Sequence, residues 1–141
     1  MFDENFWDEV ILTGVIDAEF DWYGIDQNGF IGAFTTYNRG FIPERVMFSY
    51  QDYRRIFEAV RQLPSSQEAK LITKGAGHYD DWLEYARKGL LAFDYSEIHG
   101  ATTVPKYNLL ARPKALLTGR ELGLSAEIIS LMPSLSLSFD V

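Results

Sequence analysis

His78 and His99 are the only imidazoles in the chain, and there is no cysteine. His78 precedes a predicted helix and His99 lies in a predicted loop, so neither shares a helix face with a second metal ligand. Without cysteine there is no thiolate nucleophile, no sulfur metal site and no disulfide framework. Lys74-Gly75-Ala76-Gly77-His78 has glycines before a helix, but a phosphate loop places its lysine after the glycines, and a dinucleotide loop needs a third glycine. Asp26-Gln27-Asn28-Gly29 opens like a calcium loop, yet Phe30 and Ile31 stand where the series needs an oxygen ligand and a glycine, so a turn is expected. Asp80 and Asp81, with Asp94 and Glu97 further on, are the candidates for paired carboxylates in hydrolysis. Helix capping accounts for the first pair, and no serine sits in a G-x-S-x-G elbow. The residues therefore predict no catalytic set, no metal and no cofactor.

Charge offers more. The chain carries 13 basic and 20 acidic side chains, a formal net charge of −7. Residues 1–48 hold nine of the acids against two bases, Arg39 and Arg45, while the remainder holds eleven of each sign. The whole excess thus sits in the first third. Within it, Asp8, Glu9, Asp17, Glu19 and Asp21 fall in a stretch, residues 1–38, with no lysine or arginine. A one-signed stretch of this kind repels nucleic acid and anionic membranes and attracts a basic protein. The five acids are the candidate partner-binding residues, with Asp21, at a strand entrance, the member expected to be structural. Arg54, Arg55 and Arg61 near Tyr50 and Tyr53 form the one basic-aromatic cluster, which reads as a solvated helix face rather than an RNA site.

The elements that position these residues centre on a hairpin over residues 20–36. Aromatic and β-branched runs flank the polar segment at Asp26–Gly29, where Asp26 starts a type I turn and Gly29 takes the left-handed position of a bulge. That register sets Ile25 opposite Ile31 and Trp22 opposite Phe34. A two-residue turn on Asn28-Gly29 would instead pair Ile25 with Gly32 and Tyr23 with Phe34; the first register is expected because it matches large apolar side chains on both faces. A hairpin apolar on both faces is expected near the middle of a sheet. Residues 5–15 read as a short helix running into a loop or strand, and Tyr37 to Pro43 as a loop. Ser49 caps a helix over 50–63 whose Tyr53, Ile56, Phe57, Val60 and Leu63 share one face, and Pro64 stops it. Ser65 to Glu68 predict the cap of a short helix reaching Lys74. A further helix begins at Asp80 or Asp81 and ends at Gly89, with Glu84 facing Lys88. Leu90–Tyr95 and Tyr107–Ala111 read as strands, joined by a 96–106 loop. The alternation of Leu135, Leu137 and Phe139 with serines predicts a terminal half-buried strand.

With 47% hydrophobic residues, 141 positions suffice for one domain, 1–141, with a sizeable core. The class is α+β: an antiparallel or mixed sheet built around the 20–36 hairpin, with two to three helices packed on it. No apolar run approaches the roughly 20 residues that cross a bilayer, and the acidic start does not resemble a secretory signal, so a cytoplasmic location is expected.

Three patterns taken together resemble a family: D-W-Y-x-x-D-x-x-G-x-I over Asp21–Ile31, G-L-L-x-F-D-Y over Gly89–Tyr95, and Y-x-x-x-A-x-P over Tyr107–Pro113. Chains with this order are similar to the immunity proteins of bacterial polymorphic toxin systems. The resemblance implies a non-enzymatic protein that binds and blocks a toxin domain, and it carries no catalytic residues. A proline-leucine pair expected soon after Pro113 is replaced by Lys114-Ala115-Leu116-Leu117. The competing expectation is a small-ligand binder or hydrolase, with a pocket between the sheet and the 79–89 helix lined by Trp82, Tyr85 and Phe93.

Overall fold

The computed structural model describes residues 2–36, 41–72, 79–96 and 106–139. His78, His99, Glu97 and the Lys74–His78 loop lie outside the described residues.

The hairpin forms as the residues predict. Strands β1 (Phe20–Ile25) and β2 (Ile31–Thr36) pair antiparallel with Ile25 opposite Ile31 and Trp22 opposite Phe34. The Asp26 carboxylate makes the turn: its Oδ1 accepts from the N–H groups of Asn28 and Phe30, each at 2.9 Å. Gly29 takes φ +89°, which a side chain rarely adopts. Helix α2 (Tyr50–Arg61) follows, with Ser49 Oγ accepting from the Asp52 N–H. Then come β3 (Ala69–Leu71), α3 (Asp80–Arg87), β4 (Leu91–Ser96), β5 (Lys106–Pro113) and a short helix over Ala126–Leu131.

These strands form one five-stranded mixed sheet in the order β1-β2-β4-β5-β3. Among the five, only β2 and β4 pair in parallel, and the crossover that such a pair needs carries α2, β3 and α3. The hairpin is not central, contrary to expectation: β1 lies at one end of the order. The Ile25 end of its outer edge is covered by the chain around Pro133–Leu135: the Pro133 carbonyl accepts from Ile25 N–H while Leu135 N–H donates to the Ile25 carbonyl. With the Tyr53 hydroxyl donating to the Asp21 carbonyl, backbone groups at both ends of this edge strand are paired.

On one face Tyr23, Ile31 and Ala33 pack under Ile56, Val60 and Leu63 of the α2 segment. Ala86 of α3 lies against Ala92 and Ala111. On the other face Trp22, Phe34 and Phe93 stack in series, with Trp7, Ile11 and Phe20 beside them. Phe57 is half-buried rather than central to the contact.

The 5–15 segment begins as a single helical turn, α1 (Glu4–Phe6), and widens to a π-helical turn over Trp7–Ile11. It buries Trp7 and Ile11 on its inner side and leaves Asp8 and Glu9 outside. No strand follows; Val15 and Ile16 are exposed. The predicted helix from Ser65 to Lys74 is also overturned. Residues 69–71 form β3, and the N–H groups of Ser66 and Gln67 both donate to the Arg87 carbonyl. The terminal strand is reduced to one bridge, Ser134 with Ile25, because Phe139 N–H is taken by Asp26 Oδ2 and Leu137 stays exposed. The Lys88 side chain makes no ion pair with Glu84; its ammonium donates to the carbonyls of Val60 and Arg61, tying α3 to the end of α2.

Gly89 ends α3 at φ +100°, and a Cβ there would run into the Leu122 side chain. Gly89→Ala is therefore expected to destabilise the fold by about 1–3 kcal/mol in a urea melt. A loss below about 0.5 kcal/mol would contradict this account of the turn.

Candidate functional site

Alternation along β1 places Asp21 and Tyr23 on the face opposite Trp22. Helical spacing brings Asp81, Glu84, Tyr85 and Lys88 of the α3 segment to one side, and Phe57, Val60 and Arg61 of α2 to another. The two sets face each other across an open groove of about 340 Å³, with Asp21 and Tyr23 in its lining.

The polar groups at its base are ordered. The Tyr85 hydroxyl donates to Asp21 Oδ2 at 2.5 Å, so Tyr23, whose hydroxyl lies 2.8 Å from that of Tyr85, is the donor to Tyr85. Tyr53 donates to the Asp21 carbonyl at 2.6 Å. The same register continues across the sheet: Asp21 faces Thr35, Thr35 faces Asp94, and Asp94 faces Asn108. Asp21 thus begins a polar row at the end of an otherwise apolar face.

Burial pushes the Asp21 carboxyl up from 3.8 to about 6, and the negative charges of Glu19 and Asp81 add to the rise. The hydrogen bond from Tyr85 and the nearby Thr35 hydroxyl counter it in part. Oδ1 is buried and meets no donor in hydrogen-bond geometry. Burial likewise raises the Tyr23, Tyr53 and Tyr85 hydroxyls, which stay protonated and able to donate. Asp94 is also raised, again by burial.

Asp8, Glu9, Asp17 and Glu19 are exposed, and Asp21 is partly buried at the groove. Glu19 and Asp21 are brought close, and α3 adds Asp81 to them, a residue read in the sequence only as a cap. The i, i+4, i+7 spacing of Asp81, Tyr85 and Lys88 was the available signal for this side of the groove. Of the aromatic residues expected to line a pocket beside α3, only Tyr85 does. Trp82 packs toward Ala86, Ala92 and Ala111, and Phe93 lies on the opposite face of the sheet.

That opposite face carries a second groove, about 270 Å³ and mainly apolar, between Trp22, Phe93 and Tyr107 and the exposed Phe41 and Leu137. Two of the three α2 arginines are engaged, Arg55 with Glu127 at 2.5 Å and Arg61 with Glu58 at 2.8 Å, as a solvated helix face would have them. Among the described residues no three His, Asp or Glu side chains are grouped to hold a metal ion, and no helix is long and apolar enough to cross a membrane.

Comparisons with protein-family models, with curated proteins and with solved structures return no match.

Proposed function

We propose that this chain is a toxin-neutralising, immunity-type binding protein that acts in the cytoplasm by occluding a basic partner through its acidic face. The observation that carries the reading is the exposure of Asp8, Glu9, Asp17 and Glu19 within a stretch that holds no cation before Arg39. Their field extends about a Debye length, near 8 Å at physiological salt, and Asp81 of α3 adds to it beside Asp21. The partner is a cognate toxin domain, whose substrate groove this face would cover. A field of one sign acts first on the rate of encounter.

The test is stopped-flow association with the toxin domain encoded beside the chain, identified by pull-down from the native host. Replacing Asp8, Glu9, Asp17 and Glu19 together by the neutral amides is expected to slow association about tenfold at low salt. Circular dichroism should stay unchanged, since the four side chains are exposed. An acidic partner, or an unchanged on-rate at low salt, would refute the reading.

The groove favours a second reading, a small-ligand binder or hydrolase. Its volume, about 340 Å³, falls at the low end of ligand clefts, and it holds a partly buried carboxyl with a raised pKa. Saturable binding of a neutral metabolite there would favour this second reading.

A further inference from the structure

We infer that the groove between α2 and α3 is the seat of one arginine side chain of the basic partner, held between the carboxylates of Asp21, Asp81 and Glu84 and the rings of Tyr23, Phe57 and Tyr85. This rests on the acidic-docking reading above and names the point where that docking is most specific.

Size comes first. A concavity of about 340 Å³ is too small for a helix or strand of a partner and fits a long side chain entering end-on. The sign of its charge comes next. Three carboxylates line it against two cations, and both cations are already committed. Lys88 Nζ donates to the Arg61 carbonyl at 2.6 Å, and Arg61 makes two hydrogen bonds to Glu58 Oε2. Glu84 is partly engaged by Ser65 and Arg87. Asp21 Oδ2 accepts a single side-chain hydrogen bond, from Tyr85, and Oδ1 is buried beneath it, so the carboxylate offers the groove its charge and the remaining capacity of Oδ2.

The spacing of the acids then selects among cations. They are not gathered tightly enough to hold a metal ion, so an extended organic cation fits them better. A guanidinium presents several donors in a plane, reaches carboxylates on separate elements and lies flat on aromatic rings. An ammonium is a point charge that does only part of this. Tyr23, Phe57 and Tyr85 supply the rings.

The experiment is an NMR titration of the labelled full chain at low salt with the peptide acetyl-Gly-Arg-Gly-amide, and with its lysine and citrulline counterparts. The arginine peptide is expected to shift the ring resonances of Phe57 and Tyr85 in a saturable way. Lysine should bind more weakly, and neutral citrulline should leave the rings unmoved. The double variant Asp81→Asn with Glu84→Gln should weaken arginine binding about tenfold, whereas Asp8→Asn with Glu9→Gln should not. Equal shifts by citrulline, or no loss in the Asp81/Glu84 variant, would overturn the inference. Shifts confined to residues 8–19 would also overturn it while leaving the acidic docking surface standing. No shift anywhere would count against both.

Discussion

Trp22→Ala is expected to remove about 3–5 kcal/mol of folding stability. Trp22 is 1% exposed, and its ring stacks on Phe34 with centroids 4.0 Å apart. Phe34 stacks in turn on Phe93 at 4.8 Å, and Tyr107 closes the row edge-on to Trp22 while accepting its Nε1–H at 3.1 Å. The substitution therefore opens a cavity at the point where β1, β2, β4 and β5 share side chains. It also leaves the Tyr107 hydroxyl short of a donor. A domain stable by about 5–15 kcal/mol would lose a large fraction of its margin. Urea melts of the variant should show a much lower midpoint with an unchanged slope. A loss below about 1 kcal/mol would mean that these rings are not the centre of the second core.

What could be read from the chain alone follows the range of the interactions. The hairpin was legible because its instructions are local: Asp26 bonds backbone two and four residues ahead, and Gly29 supplies the one positive φ of the turn. Helix α2 was legible for the same reason, from the Ser49 cap and an apolar face repeating every turn. Residues 65–74 misled because Ser-Ser-Gln-Glu is a genuine helix-start signal. It is overridden by β5, which offers Ala69–Leu71 a ladder through Ala111–Pro113. The end of the chain misled in a different way. Its alternation is real, but the chain bends at Ser136 and Leu137 and Asp26 captures Phe139 N–H, so only the single bridge at Ser134 forms. The groove was the least legible feature. Asp21, Phe57 and Tyr85 meet from elements far apart in sequence, and neither composition nor period encodes that meeting. Its acids appeared separately, as a strand entrance and as a helix cap.

Asp21→Asn is expected to stabilise the protein at neutral pH, which would mark the native carboxylate as kept against stability. The folded-state pKa, about 6, lies above the ordinary 3.8. Below pH 3.8 the group is protonated in both states, and its contribution is fully present. As pH rises from there, the unfolded chain releases its proton first, so stability falls until the folded carboxyl has titrated near pH 6. About two pKa units correspond to roughly 2–3 kcal/mol lost across that window. The groups that act on Asp21 include no cation: they are Tyr85 and Asp81 on α3, Thr35 on β2, Tyr53 on α2 and Glu19 beside it, while Lys88 and Arg61 of the same groove are held by the Val60 and Arg61 carbonyls and by Glu58. Asparagine keeps an oxygen for the Tyr85 hydroxyl without the buried charge. The variant should therefore match the native protein near pH 4 and exceed it by about 1–2 kcal/mol at pH 7.5, measured by urea melts across that range. Parallel pH profiles would show that Asp21 does not titrate with folding. A diverging pair has a functional meaning, because an uncompensated charge at the base of an open groove is one that an incoming cation can satisfy. The same variant should then lose the arginine peptide while gaining stability, and a merely structural carboxylate would not separate those two effects.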